Sequence, residues 1–173
     1  MEKRRKLKTT LTLIIKGNKI LLGEKKRGYA KGTFNGIGGK QDPGETIEQT
    51  MIRETQEEIG ITPTKYELVG KIDFINIEYK GERIDNTLSI YKCSDFEGKI
   101  CETEEMIPNW FEIDKMPYDR MLPDDVLWFP LVLGGKHIKV KMVFDENMQK
   151  SSYEIYEVKD GNFDKSLNLI KTL

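Results

Sequence analysis

Gly38-Gly39-Lys40-Gln41-Asp42-Pro43-Gly44-Glu45 runs directly into Thr46-Ile47-Glu48-Gln49, and a little further on the chain reads Arg53-Glu54-Thr55-Gln56-Glu57-Glu58-Ile59-Gly60-Ile61. Thr46 with Gln49 three residues later has the spacing of a helix capping box, and Gly60 is a natural stop because glycine takes the left-handed conformation at little cost. These signals predict a helix over residues 47–59. At about 100° of rotation per residue, Glu54, Glu57 and Glu58 fall at i, i+3 and i+4, so the three carboxylates share one face. Ile47, Met51, Thr55 and Ile59 share another.

Three crowded carboxylates repel one another unless a cation neutralises them, and a cluster of hard oxygen ligands suits magnesium or manganese. Acidic helix faces are often simply solvated. That reading accounts for neither the Gly-rich approach nor Arg53, which sits where it can bridge Glu57 and an acid of the loop such as Glu45. The combination points to a metal site.

Working outward, residues 9–23 alternate apolar and polar around Gly17-Asn18, a pair suited to a tight hairpin. Residues 28–39 read as a Gly-rich loop. Segments around 66–79 and 84–93, rich in Ile, Val, Phe and Tyr, flank a turn at Lys80-Gly81 and are expected to pair. A short strand is expected near Trp110 and Phe111, then a helix from Asp124 to Leu133 and strands near 137–144 and 152–158. Strands and helices mixed in this order predict an α+β fold with a mixed sheet, as one domain over residues 1–173.

Lys plus Arg number 28 against 29 Asp plus Glu, so no overall positive field draws the chain onto nucleic acid or an anionic membrane. Stable nucleic-acid binding and membrane association are therefore not expected, and any phosphate ligand must be met locally. Lys3-Arg4-Arg5-Lys6 precedes an apolar stretch but is interrupted by Thr9, Thr10 and Thr12 with no small-residue cleavage site, and reads as a solvated basic end entering a strand. Cys93 and Cys101 have no metal-ligand spacing and read as separate reduced thiols, which implies a cytoplasmic setting. His137, the only histidine, reads as a surface residue, so triads or zinc sites built on histidine are excluded. Trp110, Trp128 and Phe129 read as core. Oligomeric state is not encoded in any pattern of the sequence.

Residues 39–61 resemble the signature of the Nudix hydrolases, with Gly39, Glu45, Arg53, Glu54, Glu57, Glu58 and Gly60 in its fixed positions. Thr55 departs from it where the family usually has an aliphatic residue, which is expected to cost core packing and touch no ligand. The resemblance implies a Nudix-type α/β/α sandwich in which Glu54, Glu57 and Glu58, with the carbonyl of Gly38, hold divalent cations against a substrate diphosphate. Magnesium is the implied ion, with manganese as a substitute. It also implies water as nucleophile, with Glu54 the first choice for its base and Arg53 part of the catalytic constellation.

Beyond the signature, four segments are similar to the oxidised purine nucleoside triphosphate diphosphatase branch, whose members cleave 8-oxo-dGTP. They are Lys25-Lys26-Arg27-Gly28 leading to Phe34-Asn35-Gly36, Glu104-Glu105-Met106 before Pro108-Asn109-Trp110-Phe111, Leu122-Pro123-Asp124-Asp125, and Trp128-Phe129-Pro130. This similarity implies a small nucleoside triphosphate as substrate, cleaved to the monophosphate and pyrophosphate. Asn35, Asp124 and Asp125 would bind the base, and Glu105 would add a carboxylate to the metal and water cluster. Without the resemblance, Asp124-Asp125 reads first as an ordinary N-cap of the following helix, Glu105 as a surface acid, and Lys25 as either a phosphate contact or a solvated lysine. Leu122 and Asn76 stand where this branch has aromatic residues, and Tyr29 and Phe74 are candidates to compensate. That departure leaves open a nucleotide sugar, dinucleotide or capped RNA as substrate. A non-catalytic nucleotide sensor is a third reading, at odds with the complete set of carboxylates.

Overall fold

The computed structural model describes residues 4–165 and 167–172, so Lys3 of the basic run lies outside the described residues. Strand β1 (Arg5–Lys16) turns through Gly17 and Asn18 into β2 (Lys19–Lys25), with Gly17 at a positive φ of 59°. A short β3 (Phe34–Asn35) is followed by helix α1 (Ile47–Ile59), then by the long hairpin of β4 (Ile61–Tyr79) and β5 (Glu82–Gly98). Lys80 and Gly81, at the tip of that hairpin, both have positive φ, 51° and 79°, the backbone that matches the natural twist of paired strands. The remaining elements are β6 (Met106–Glu112), α2 (Asp125–Leu133), β7 (Ile138–Phe144), β8 (Lys150–Val158) and β9 (Leu167–Thr172).

The strands form one sheet in the order β3-β2-β1-β5-β4-β7-β8-β9, and β6 pairs along the whole of β2. The β1–β5 and β4–β7 pairs are parallel and the others antiparallel, which makes the sheet mixed, as expected. Because alternate side chains of a strand face opposite sides, β1 serves two cores. Leu11 and Leu13 pack in the cluster that contains Trp128, Phe129 and Val132 of α2, whereas Ile14 packs with Ile59 and Ile61 at the end of α1. The helices therefore cover opposite faces of one sheet, giving an α/β/α sandwich.

Several local expectations are corrected. Trp110 is 41% exposed rather than core, because β6 turns that side chain to solvent; Trp128 and Phe129 are buried and stacked with centroids 4.0 Å apart. Strands β3 and β9 lie where no strand was expected. The threonines of β1 are not mere interruptions, since Thr10 and Thr12 are buried on the same face as Ile14. Thr12 meets Thr55 of α1 with a hydroxyl–hydroxyl distance of 3.1 Å, and Thr55 donates its hydrogen to the Met51 carbonyl at 2.8 Å. A hydroxyl has only one hydrogen, so Thr12 must be the donor to Thr55. The departure at Thr55 is thus one half of a buried polar pair rather than a loss of packing.

A pair of this kind is costly to break from one side. Thr55→Val should cost about 1–3 kcal/mol by stranding the Thr12 hydroxyl, while the Thr12→Val/Thr55→Val double variant should recover most of that loss. Urea melts of the wild type, both single variants and the double variant provide the cycle, and strictly additive losses would contradict the pairing.

Candidate active site

Both ends of α1 are pinned, which fixes the rotation of every side chain on it. Thr46 Oγ1 accepts the Gln49 amide at 3.1 Å, Gln49 Oε1 accepts the Thr46 amide at 2.9 Å, and Gly60, at φ 80°, donates its amide to Gln56 at 2.9 Å. The approach loop lies along β1, with the Thr10 amide on the Gly39 carbonyl at 2.9 Å and the Gln41 amide on the Lys8 carbonyl at 2.9 Å. One position there admits only glycine, and at a second a Cβ would displace the Glu54 carboxylate. A Cβ on Gly38 would fall 1.9 Å from the Thr10 oxygen, and one on Gly39 would fall 2.4 Å from the Glu54 carboxyl carbon.

Arg53 joins loop and helix. Its Nε lies 2.6 Å from Glu45 Oε1 and its Nη2 3.0 Å from Glu45 Oε2, a bidentate fork, while Nη2 also reaches the Lys40 carbonyl at 3.1 Å. Its Nη1 reaches Glu54 at 2.9 Å and Glu57 at 3.2 Å. This guanidinium holds the Glu45 carboxyl down to about 2, helped by the Asp42 amide and the Thr50 hydroxyl. Glu45 is thus ionised throughout the neutral range.

Glu54 and Glu58 respond in the opposite direction. Burial raises the Glu54 carboxyl, against the pull of Arg53 and with repulsion from Glu57 and Glu105. Glu58, 6% exposed, is pushed up to about 8 by burial first, with repulsion from Glu54 and Glu105 adding to it. The Gly38 amide, donating to Glu58 Oε2 at 3.0 Å, and the nearby charge of Lys25 oppose the shift. The loop bearing Glu105 is tied to the end of α1 by the Thr103 hydroxyl on the Glu58 carbonyl, at 2.8 Å, and Glu105 pairs with Arg27 at 2.7 Å. The structure therefore brings Gly38, Lys25, Arg53, Glu54, Glu58 and Glu105 together, with Glu57 joined through Arg53. Among the described residues no three His, Cys, Asp or Glu side chains already surround a common point. Arg53 occupies Glu54 and Glu57 instead. The donor set nevertheless fits a hard divalent cation, since it is all oxygen and leaves the buried Glu58 and half-buried Glu54 carboxyls disfavoured in their charged form.

Asp124 and Asp125 lie at the start of α2. Neither acts as a cap, for Asp124 makes no capping bond to the helix and Asp125 Oδ2 accepts the Leu122 amide at 3.2 Å. Asp125, 6% exposed, is pushed up to about 7 by burial, with the charge of Asp124 adding to it and the Leu122 amide and Trp128 indole opposing it. Asp124 is instead salt-bridged to Lys150 of β8, a contact with no signal in the sequence. Phe74 packs at the margin of the α2 core cluster, and the half-buried Asn35 folds its Oδ1 onto the Gly36 amide at 2.9 Å. Tyr29 is not brought to this group; it stands 83% exposed in the turn after β2. Asn76 is no substitute for an aromatic face either. It has φ 63° at a bulge of β4, donates to the Phe144 carbonyl at 2.8 Å, and accepts Arg83 on its own carbonyl at 3.0 Å. Asparagine tolerates that backbone far better than a bulky residue does.

The raised carboxyl of Glu58 has a consequence for stability. With an ordinary value near 4.5 in the unfolded chain and about 8 when folded, the folded state binds the proton more tightly. Cation-free stability should therefore fall as pH rises through that window, by an amount on the order of several kcal/mol. Glu58→Gln removes this penalty, so in chelator its melting temperature should exceed that of the wild type at pH 9 by clearly more than at pH 5. An equal gap at both pH values would contradict the assignment.

A NUDIX domain family model matches residues 6–132. The chain is 40% identical over 151 residues, 87% of its own length and 95% of the relative's, to the oxidized purine nucleoside triphosphate hydrolase of Danio rerio. It is 38% identical over 149 residues, 86% of its length and 94% of the relative's, to the protein of the same name from Mus musculus. Among solved structures, the MutT protein of Bacillus halodurans superposes with a TM-score of 0.72 at 25% identity, covering 86% of this chain and 97% of that one. With signature, sandwich and these matches in agreement over most of its length, the chain belongs to the Nudix family of hydrolases.

Proposed function

We propose that this chain, a single Nudix domain over residues 1–173, hydrolyses oxidised purine nucleoside triphosphates such as 8-oxo-dGTP to the monophosphate and pyrophosphate. Nudix hydrolases generally use divalent cations, and magnesium, with manganese as a substitute, suits this all-oxygen set. The observation that carries the reading is the buried Glu58 and the half-buried Glu54 beside Glu105, in a chain whose relatives from Danio rerio and Mus musculus are oxidized purine nucleoside triphosphate hydrolases.

Glu54, Glu57, Glu58, Glu105 and the Gly38 carbonyl would hold a divalent cation, which when bound would neutralise charge developing on the leaving group. The chain's own residues do the rest. Glu54, whose carboxyl burial makes a better proton acceptor, orients and deprotonates the attacking water, and Arg53 at 2.9 Å fixes its direction. Lys25 meets the triphosphate from the end of β2. Asn35, Phe74, Asp124 and Asp125 take the purine, with Asp125 able to donate a hydrogen bond near neutral pH because its proton leaves only at about 7.

The substrate is a free nucleotide. With a formal net charge of −1 the chain has no field to hold nucleic acid, and no helix among the described residues is long and apolar enough to cross a membrane. The reading places the protein with the nucleotide pool of the cytoplasm, which it would clear of damaged precursors.

Specificity constants for 8-oxo-dGTP, dGTP, dATP, dCTP and ADP-ribose, measured with magnesium and after exhaustive chelation, test the proposal. We expect 8-oxo-dGTP to lead, chelation to abolish turnover, and Asp125→Ala to lower purine turnover by roughly 10²-fold or more by leaving base atoms unpaired, with dCTP affected less. Faster turnover of ADP-ribose than of any triphosphate would overturn the substrate, and full activity in chelator would overturn the cation.

A further inference from the structure

Two adjacent carboxyls at the start of α2 have unequal surroundings. Asp125 is buried and takes the Leu122 amide, whereas Asp124 meets the ammonium of Lys150. That pair is largely withdrawn from solvent, with side chains 23% and 26% exposed, so it is screened less than an ordinary surface ion pair. Lys150 is also held in place. Its Nζ lies 5.3 Å from the centroid of the Tyr153 ring, and Tyr153 belongs to the core cluster under α2. The turn that delivers Lys150 is clamped, because Asp145 Oδ1 accepts the Asn147 and Gln149 amides at 2.8 and 2.9 Å and Arg83 reaches the Glu146 carbonyl.

We propose that Lys150 is a positioning residue for base selectivity, its ammonium fixing Asp124 as a hydrogen-bond acceptor and leaving Asp125 as the member of the pair that donates. The inference rests on the reading that Asp124 and Asp125 face the purine. An ammonium carries only donors, so the Asp124 oxygen it engages must accept, and its charge favours the carboxylate form, whose other oxygen can only accept from a base. A guanine-type edge offers ring and amino N–H donors beside a carbonyl acceptor, while an adenine edge offers an amino donor beside a ring-nitrogen acceptor. A pair with its acceptor and donor members assigned in advance matches one arrangement. Without Lys150 the assignment rests on the burial of Asp125 alone, and the pair discriminates less between the two arrangements.

Lys150→Met keeps the stem over Tyr153 and removes the charge. The ratio of kcat/KM for 8-oxo-dGTP to that for dATP should move toward one by roughly five- to tenfold, Lys150→Arg should restore most of it, and Lys150→Met should add no further change in an Asp124→Asn background. If Asp124→Asn alters the ratio and Lys150→Met does not, Lys150 is only a structural cation and the proposal is overturned while base recognition stands. If neither variant alters the ratio, Asp124 does not read the base, and the underlying reading fails together with the proposal.

Discussion

The guanidinium of Arg53 is the point at which approach loop, helix and acidic face meet. Its fork on Glu45 fastens the loop, its second edge reaches Glu54 and Glu57, and a further bond takes the Lys40 carbonyl. A planar, permanently charged group can make these bonds at once, whereas an ammonium of similar reach offers neither the fork nor the fixed angles. Because the loop is held there, Gly38 can lie on β1 and aim its amide at Glu58, and Gly39 can lie against Glu54. The geometry of the acidic site follows from that one side chain and from the two glycines that let backbone replace side-chain volume.

The same arrangement is a source of instability. A helix face that withdraws Glu58 fully and Glu54 partly from water disfavours their charged forms, and the sandwich must be stable enough to tolerate it. The two core clusters, one under each helix, supply that stability. The acidic pair is therefore not there to hold the fold together. In the proposed function a divalent cation would resolve the conflict and so couple binding to stability through the same groups.

Much of this was legible in the sequence because it is local. The capping box and Gly60 set the ends of α1 at Ile47 and Ile59, the i, i+3, i+4 spacing set the acidic face, and Gly17-Asn18 and Lys80-Gly81 marked the hairpins. What escaped depends on partners distant in sequence. Trp110 is exposed because of where β6 sits on β2, Thr12 finds its partner only when α1 lies on β1, and β3 has just two residues in which to show a pattern. Asn76 could be seen to break an aromatic pattern, but its tie to Phe144 arises only where β4 meets β7. Lys150 follows Asp124 by 26 residues in an ordinary polar segment, and nothing local announces that the two meet.

Asp124 and Asp125, to which the proposal assigns the purine, belong to α2 on one face of the sheet, and the acidic cluster, to which it assigns the phosphates, belongs to α1 on the other. On the proposed reading, that separation lets base selectivity vary at Lys150 without disturbing the acidic face. It also makes the site of bond cleavage the most direct test of the account. A single turnover of 8-oxo-dGTP with magnesium, quenched and resolved by chromatography, should yield the nucleoside monophosphate and pyrophosphate with neither diphosphate nor orthophosphate. Formation of the nucleoside diphosphate and orthophosphate instead would contradict it.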